Sequence, residues 1–241
     1  MVGGDARLYD YYYENDVIGR QVRALVFDFD GLMVDTEGPA YESWQEIYRE
    51  YGCELPLSAW AAVLGGSGAE FDPCAYLQGL IDRPLDHAAT RARRQRRKAE
   101  LVAEQPLLPG VGDYISAAGR LGLKLGVASS ASRAWVGGHL ERLGVADRFD
   151  AIVCAGDVAH VKPDPALYRL AAARLDVRPV QAIALEDAPN GLLSARRAGL
   201  FCVAVPNPLT GQLPLDGADL RLASLTDLPL DALIERIDAR Q

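Results

Sequence analysis

The chain has 241 residues, of which 49% are hydrophobic and 24% are charged, and its formal net charge at pH 7 is −8. This length allows one large domain or a core with a smaller insert, and the apolar fraction is sufficient for a hydrophobic core. Binding to nucleic acid or to an anionic membrane needs a basic surface, which this composition does not offer. No apolar run approaches the roughly 20 residues of a membrane-spanning helix. We therefore expect neither nucleic-acid nor membrane partners.

The N-terminal segment and the cysteines bear on the location of the protein. Residues 1–21 are acidic and rich in tyrosine and lack the features of a signal peptide, so we predict a flexible extension. Alternatively, its tyrosines dock on a partner. The four cysteines form no CxxC pair, which argues against a zinc site, and we expect Cys154 and Cys202 to pack as small hydrophobes. Reduced thiols and the absence of an export signal predict a cytoplasmic protein.

The first predicted strand, Val22–Phe27, leads directly into Asp28 and Asp30, two carboxylates spaced i, i+2. Burying an ionised carboxylate is costly unless it is paired or bound to a metal. Gly31 allows a sharp turn at this strand end. Such a pair of carboxylates forms a pocket for a hard cation such as Mg²⁺, which prefers oxygen ligands. The alternative is one aspartate that caps a helix and one that occupies a turn.

A helical segment follows the first strand. Pro39–Tyr51 carries aromatic residues at helical spacing, and Leu85–Glu104 has the pattern of a long charged helix. Between them lies a flexible glycine loop, Gly65–Gly68, whose backbone could approach a substrate closely. The linkers at both ends carry Pro or Gly, as domain boundaries often do. We therefore predict a smaller, all-helical cap domain at 39–105, inserted into a core formed by 22–38 and 106–241.

The remaining chain alternates between strand and helix patterns. Two segments, Arg133–Leu143 and Pro165–Leu175, have helical patterns. Short apolar runs of the kind found in buried parallel strands occur at Lys124–Ala128, Ala151–Cys154, Ala182–Leu185 and Phe201–Val205. This alternation predicts an α/β fold with a doubly wound parallel sheet.

Polar residues follow four of the predicted strands. The aspartate pair follows the first strand, Ser129 the second and Lys162 the third, while Glu186 and Asp187 follow the fourth. Individually, Ser129 could cap a helix, Lys162 could lie in a solvated loop, and the acidic pair could interact with a helix dipole. The carboxyl ends of parallel strands meet at one edge of a sheet, where open α/β sheets bind their ligands. We therefore predict one site that contains all of these residues.

These residues occur in motifs that resemble a known family. Asp-Phe-Asp-Gly-Leu-Met-Val-Asp-Thr-Glu, Ala-Ser-Ser, Lys-Pro-Asp-Pro and Glu-Asp-Ala-Pro-Asn-Gly follow one another in this order. Over about residues 22–230 the chain resembles the haloacid dehalogenase superfamily, and within it the phosphatase and beta-phosphoglucomutase-like group with an inserted helical cap. The resemblance implies a Rossmann-like core and a small phosphomonoester as substrate. The N-terminal extension is not part of the pattern.

The resemblance also implies roles for the site residues. Asp28 would be the nucleophile that forms an aspartyl-phosphate, and Asp30 would be the general acid and then the general base. Ser129 would hydrogen-bond the transferred phosphoryl group, and Lys162 would neutralise the charge of nucleophile and phosphate. The implied cofactor is Mg²⁺, with ligands from Asp28, the backbone carbonyl of Asp30, Asp187 and, directly or through water, Glu186.

Three differences within the family bear on which member reaction this chain is expected to perform. The dehalogenase branch has no counterpart to an acid at Asp30, so halide chemistry is disfavoured. The mutase branch usually carries a histidine near Ala40, and this chain has none between Asp28 and Asp86. Val161 stands where the family usually has glycine. We therefore expect a Mg²⁺-dependent phosphatase of a sugar or polyol phosphate. We also expect the protein to be a monomer. The alternatives are a beta-phosphoglucomutase-like phosphomutase and a non-catalytic protein that binds a phosphorylated metabolite.

One further feature is the density of positive charge in the second cap helix. Six of the eight residues from Arg91 to Lys98 are basic. Six side chains must wrap around more than one helix face, so most of them are expected to be solvated. One or two are expected to face the crevice and to hold an anionic substrate.

Overall fold

A parallel sheet forms the centre of the computed structural model, which describes residues 22–60 and 71–239. Its strands are β1 (Ala24–Phe27), β2 (Lys124–Ala128), β3 (Ala151–Val153), β4 (Ala182–Glu186), β5 (Phe201–Ala204) and β6 (Leu220–Arg221). They are arranged in the order β3-β2-β1-β4-β5-β6, and every neighbouring pair is parallel. The chain runs outward from β1 in one direction and then from β4 in the other. The carboxyl ends of β1 and β4 therefore flank the switch point at which such sheets bind ligands.

Helices cover the sheet and extend beyond it. In the described ranges they are α1 (Glu37–Glu50), α2 (Leu57–Trp60), α3 (Pro73–Leu80), α4 (His87–Ala103), α5 (Val111–Arg120), α6 (Arg133–Arg142), α7 (Ala166–Arg174), α8 (Pro189–Ala198) and α9 (Leu230–Asp238). No helix in these ranges is both long and apolar enough to cross a membrane.

The residues of β1 show why both faces of the sheet are buried. Leu25 and Phe27 belong to one apolar cluster, which includes residues of α5, α6 and α9. Ala24 and Val26 point to the other face and belong to a second cluster with residues of α7 and α8. Side chains alternate between the faces of a strand, so a strand covered on both sides needs a continuous apolar sequence.

Helices α1 to α3 share an apolar cluster of their own, which includes Trp44, Tyr48 and Leu77. The N-termini of α3 and α4 are capped by aspartates: the Asp72 carboxylate accepts the N–H of Cys74 at 3.0 Å, and the Asp86 carboxylate accepts the N–H of Ala89 at 2.9 Å. The division of the chain into core and cap domains stays a prediction.

The structure confirms the α/β fold class with a doubly wound parallel sheet and helices in the inserted segment. It differs from the prediction in β6, which was not anticipated because a two-residue Leu-Arg strand carries no pattern. The helical pattern Pro165–Leu175 predicted Pro165 at the first helical position, but Pro165 is the N-cap residue of α7. The predicted N-terminal extension and the glycine loop lie outside the described residues.

Candidate active site

Lys162 and the carboxylates that follow β1 and β4 form a compact ionic group. The Asp28 backbone N–H donates to the Leu185 carbonyl at 2.9 Å, which places its side chain at the edge between β1 and β4. The Lys162 ammonium forms an ion pair with the Asp28 carboxylate and lies 2.7 Å from Glu186 Oε1. Only 8% of the Lys162 side chain is exposed, so these interactions are shielded from water. The structure thus places Lys162 next to Asp28, the predicted nucleophile, whose negative charge the lysine is expected to neutralise.

Three buried carboxylates surround this lysine. Asp28, Glu186 and Asp187 each offer an oxygen, and these atoms all lie within 4.8 Å of one another. Burial and then repulsion from Glu186 raise the pKa of Asp28, and burial together with Asp28 raises the pKa of Asp187. One ammonium does not balance three carboxylates. A cluster of buried oxygen donors with excess negative charge fits a hard divalent cation such as Mg²⁺.

The turn after β1 is shaped around Asp187. Gly31 has φ of +82°, and a Cβ at this position would collide with the Asp187 carboxylate. Asn207, which follows β5, donates from Nδ2 to Asp187 Oδ2 at 2.9 Å and to the Gly31 carbonyl at 3.3 Å. The turn therefore needs glycine for its backbone conformation and for space. Asn207 was not among the predicted site residues, although its Pro-Asn-Pro context at a strand end was a usable signal.

Glu186 is fixed from two further sides. The Tyr168 hydroxyl on α7 donates a hydrogen bond to Glu186 Oε1, and both residues are buried. Gly191 on α8 lies so close to the Glu186 carboxylate that a Cβ would overlap it. Burial and the neighbouring carboxylates raise the pKa of Tyr168, so its hydroxyl keeps the donated proton. The sequence could not single out Tyr168, because it occupies an apolar position of its helix.

The Asp30 side chain lies apart from the three clustered carboxylates. Its Oδ1 accepts a hydrogen bond from Trp135 Nε1 at 3.0 Å, and its Oδ2 accepts one from Ser129 Oγ at 3.4 Å. Ser129 Oγ in turn accepts the N–H of Ala131 at 3.0 Å. Any contribution of Asp30 to a metal site would therefore come from its backbone carbonyl, as the family resemblance implies. Trp135 was missed, although the start of a helix directly after β2 was a signal that its first turn overlies the site.

A cavity of about 500 Å³ connects these residues with the helices above the sheet. Its wall includes Glu37, Ala40, Trp60, Arg94 and Lys98 in addition to the residues described above. Arg94 and Lys98 are one helical turn apart in α4 and belong to the basic run. Burial is the largest influence on the pKa of both side chains, and it lowers both pKa values.

Other members of the basic run are engaged outside the cavity. Arg91 forms an ion pair with Asp72, Arg93 with Glu50 at 2.7 Å and Arg97 with Glu46 at 2.8 Å. These exposed pairs are expected to contribute little stability. They leave Arg94 and Lys98 as the members of the run that line the cavity, which agrees with the expectation that one or two basic residues face the crevice.

Asp157, the carboxylate nearest to the end of β3, lies outside the site. It forms ion pairs with Arg133 at 2.7 Å and with Arg174 at 3.0 Å, and it accepts the N–H of Cys154 at 2.8 Å. These contacts tie the start of α6 and the end of α7 to the loop after β3, so Asp157 has a structural role.

Several known proteins are similar in sequence to this chain. YhcW of Bacillus subtilis (strain 168), a putative phosphatase by name, is 44% identical over 219 residues, covering 91% of this chain and 99% of YhcW. Fructose-1-phosphate phosphatase YqaB of Escherichia coli (strain K12) is 35% identical over 182 residues, covering 75% and 95%. Beta-phosphoglucomutase of Bacillus subtilis (strain 168) is 31% identical over 220 residues, covering 89% and 95%.

A solved structure is also similar over most of the chain. CbbY from Rhodobacter sphaeroides in complex with phosphate has a TM-score of 0.69 and 32% sequence identity, covering 88% of this chain and 99% of CbbY. The sequence-family model of the haloacid dehalogenase-like hydrolases matches residues 25–205, a range that includes every predicted site residue. The chain is therefore a member of the haloacid dehalogenase-like hydrolase family and a phosphatase that acts on phosphorylated metabolites.

Proposed function

We propose that this protein is a Mg²⁺-dependent phosphatase that hydrolyses a small sugar or polyol phosphate through an aspartyl-phosphate on Asp28. The observation that carries the proposal is the ion pair of Asp28 with Lys162 inside a cluster of three buried carboxylates. A carboxylate held beside an ammonium at a strand end is placed to attack phosphorus, while the ammonium offsets the charge of the incoming phosphate.

The reaction consists of two displacements at phosphorus. In the first, Asp28 forms an O–P bond while the bond to the leaving oxygen breaks, and that oxygen takes a proton from Asp30. In the second, water attacks the phosphorus atom of the aspartyl-phosphate and gives a proton to Asp30. The bond between phosphorus and the Asp28 oxygen breaks, so phosphate is released and the Asp28 carboxylate is restored. Ser129 and Lys162 hold the phosphoryl oxygens throughout both displacements.

Asp28, Asp187, the backbone carbonyl of Asp30 and, directly or through water, Glu186 would hold the Mg²⁺ ion. When bound, the ion neutralises charge on the nucleophile and on the phosphoryl oxygens. The three buried carboxylates supply the oxygen donors for this assignment, and the excess of negative charge over Lys162 supplies the reason for a cation.

The residue at position 40 favours hydrolysis over the phosphomutase reaction. Ala40 is buried and lines the cavity, and it brings no imidazole to the position where the mutase branch usually carries one. The similarity to YqaB supports a sugar phosphate as substrate. A phosphomutase would give an isomerised sugar phosphate, and a binding protein would give neither product.

Phosphate release tests this proposal directly. The purified full-length protein is incubated with sugar, polyol and nucleotide monophosphates, with Mg²⁺ and with a chelator. We expect free phosphate only with Mg²⁺, and faster release from sugar and polyol phosphates than from nucleotides. Isomerised substrate without phosphate release would indicate a mutase, and Mg²⁺-dependent binding without either product would indicate a binding protein.

The carboxylate cluster predicts how pH and Mg²⁺ affect stability. The folded-state pKa values of Asp28 and Asp187 lie above the value of about 3.9 for an unfolded aspartate. Their contribution to stability is therefore full below about pH 4 and is lost as pH rises through the raised pKa values. We expect Mg²⁺ to raise the thermal unfolding midpoint more at about pH 8 than at about pH 5, because it binds the ionised carboxylates.

Thermal unfolding scans with Mg²⁺ and with a chelator at both pH values measure this effect. The Asp187→Asn variant should show a smaller response to Mg²⁺, whereas Asp157→Asn should respond like the wild type, because Asp157 lies outside the cluster. An equal response of all three proteins would contradict the assignment of the metal site.

A matched pair of variants tests the role of the cap. Arg94→Gln should raise the KM for a sugar or polyol phosphate by about 10- to 100-fold, because a hydrogen bond to a charged group contributes about 1.5–3 kcal/mol. Arg93→Gln is the control, since Arg93 is exposed and paired with Glu50. Steady-state kinetics of both variants measure the difference, and equal KM values would remove Arg94 from substrate binding.

A further inference from the structure

We propose that Trp135 is a positioning residue that holds the general acid and base Asp30 in its working orientation. This inference rests on the proposed function. Its starting observation is the hydrogen bond from Trp135 Nε1 to Asp30 Oδ1, which is 3.0 Å long. Trp135 belongs to the first turn of α6, at the end of β2, and therefore reaches the site from the core.

Asp30 needs such a partner because the contacts that fix the other carboxylates do not reach it. Asp28 and Glu186 contact Lys162, and Asp187 is held by Asn207, but the Asp30 side chain belongs to neither group. It is only partly buried and contacts Ser129 at 3.4 Å, near the limit for a hydrogen bond. Without the indole, the Asp30 carboxylate would be free to rotate away from the leaving oxygen.

The indole has the right chemistry for this task. It carries one N–H donor and no acceptor, so it can fix a carboxylate oxygen but cannot take a proton from it. Because Oδ1 accepts the indole N–H, Oδ2 is the oxygen left to exchange a proton with the leaving group and with water. Oδ2 faces Ser129, the residue assigned to the transferred phosphoryl group.

Two side chains contact the ring of Trp135, and a helix cap holds its backbone. The Trp135 backbone N–H donates to the Ser132 hydroxyl, the N-cap of α6, at 3.3 Å. The ring packs edge-on against His139 one turn later, with 4.4 Å between ring centroids. The Lys98 ammonium of α4 lies over the indole, 5.6 Å from its centroid. An indole fixed in this way presents its N–H in one direction.

The leaving group of the substrate distinguishes positioning from packing. Departure of a sugar or polyol oxygen needs a proton from Asp30, whereas p-nitrophenolate departs with little help. The first chemical step is measured in single turnovers with enzyme in excess, using a polyol phosphate and p-nitrophenyl phosphate. For Trp135→Phe we expect the rate of this step to fall about 10- to 100-fold with the polyol phosphate. This loss is part of the roughly 10²–10⁴-fold contribution of general acid catalysis.

With p-nitrophenyl phosphate, the same variant should stay within about twofold of the wild type, because little acid catalysis is needed. Trp135→His restores an aromatic N–H and should recover part of the lost rate. Ser132→Ala is the control: it removes the N-cap of α6 but keeps the indole, so it should lower stability without creating a dependence on the leaving group.

A second readout does not need activity. The chain has three tryptophans, so its ¹H–¹⁵N spectrum should contain three indole N–H signals. The signal that disappears in Trp135→Phe should be the one that shifts most in Asp30→Asn. An unshifted signal, or an equal loss of rate with both substrates, would overturn the role of Trp135. If the wild type hydrolyses neither compound, the proposed function fails and this inference fails with it.

Discussion

Replacing Asp28 by asparagine should abolish turnover, with a loss on the order of 10⁶-fold, as expected when the nucleophile of a covalent mechanism is removed. The amide of asparagine is a poor nucleophile for phosphorus and cannot form a hydrolysable aspartyl-phosphate. The introduced asparagine would nevertheless fill the same space beside Lys162, and one of three crowded negative charges would be gone. The variant should therefore stay folded while it loses activity.

Phosphate release and thermal unfolding, measured on the same preparation, separate these two effects. Asp157→Asn is the matched control, because it makes the same chemical change at a carboxylate that pairs with Arg133 and Arg174 outside the site. The control should lose some stability and keep its turnover. Near-normal activity in Asp28→Asn would show that Asp28 is not the nucleophile.

Replacing Lys162 by methionine should cost both activity and stability. Removing one partner of a buried ion pair costs about 3–5 kcal/mol, because the other charge is left without compensation. Here Asp28 and Glu186 both lose their cationic partner, and only 8% of the lysine side chain is exposed. Burial opposes the charged form of Lys162, but Asp28 and Glu186 outweigh this effect and raise the pKa of the lysine. The stabilisation by the ion pairs should therefore persist until the pH exceeds the usual lysine range.

Chemical denaturation of a double-mutant cycle tests the electrostatic origin of this loss. In the Lys162→Met background, Glu186→Gln removes one of the uncompensated charges and should restore part of the stability without restoring turnover. The Tyr168 hydroxyl can still donate to the glutamine side-chain oxygen. If Glu186→Gln costs as much stability in the Lys162→Met background as in the wild type, the two residues are not coupled and the account of the cluster is wrong.

The strands and the reacting residues could be predicted because both leave local patterns. Fully buried parallel strands are continuous apolar runs, and the parallel order brings the ends of β1, β2, β3 and β4 to one edge. Asp28, Ser129 and Lys162 each stand directly at such an end or in the following loop. Their meeting in one site therefore followed from the fold class.

The supporting residues could not be predicted in the same way. Tyr168 is an ordinary core residue by pattern, and its role depends on the packing of α7 beneath Glu186. Trp135 acts through the rotation of α6, which a helical period does not determine to the accuracy of one side chain. The basic run posed the same problem, because which residues face the cavity depends on how α4 packs against α1.

The central claim, phosphoryl transfer to Asp28, is tested most directly by mass spectrometry of the Asp30→Asn variant. The variant is mixed with Mg²⁺ and p-nitrophenyl phosphate, whose departure needs little acid catalysis, and then quenched in acid and digested. We expect one added phosphoryl group on the peptide that contains Asp28, because loss of the base slows attack by water. Release of p-nitrophenolate with no adduct on that peptide, or with an adduct on another residue, would contradict the mechanism.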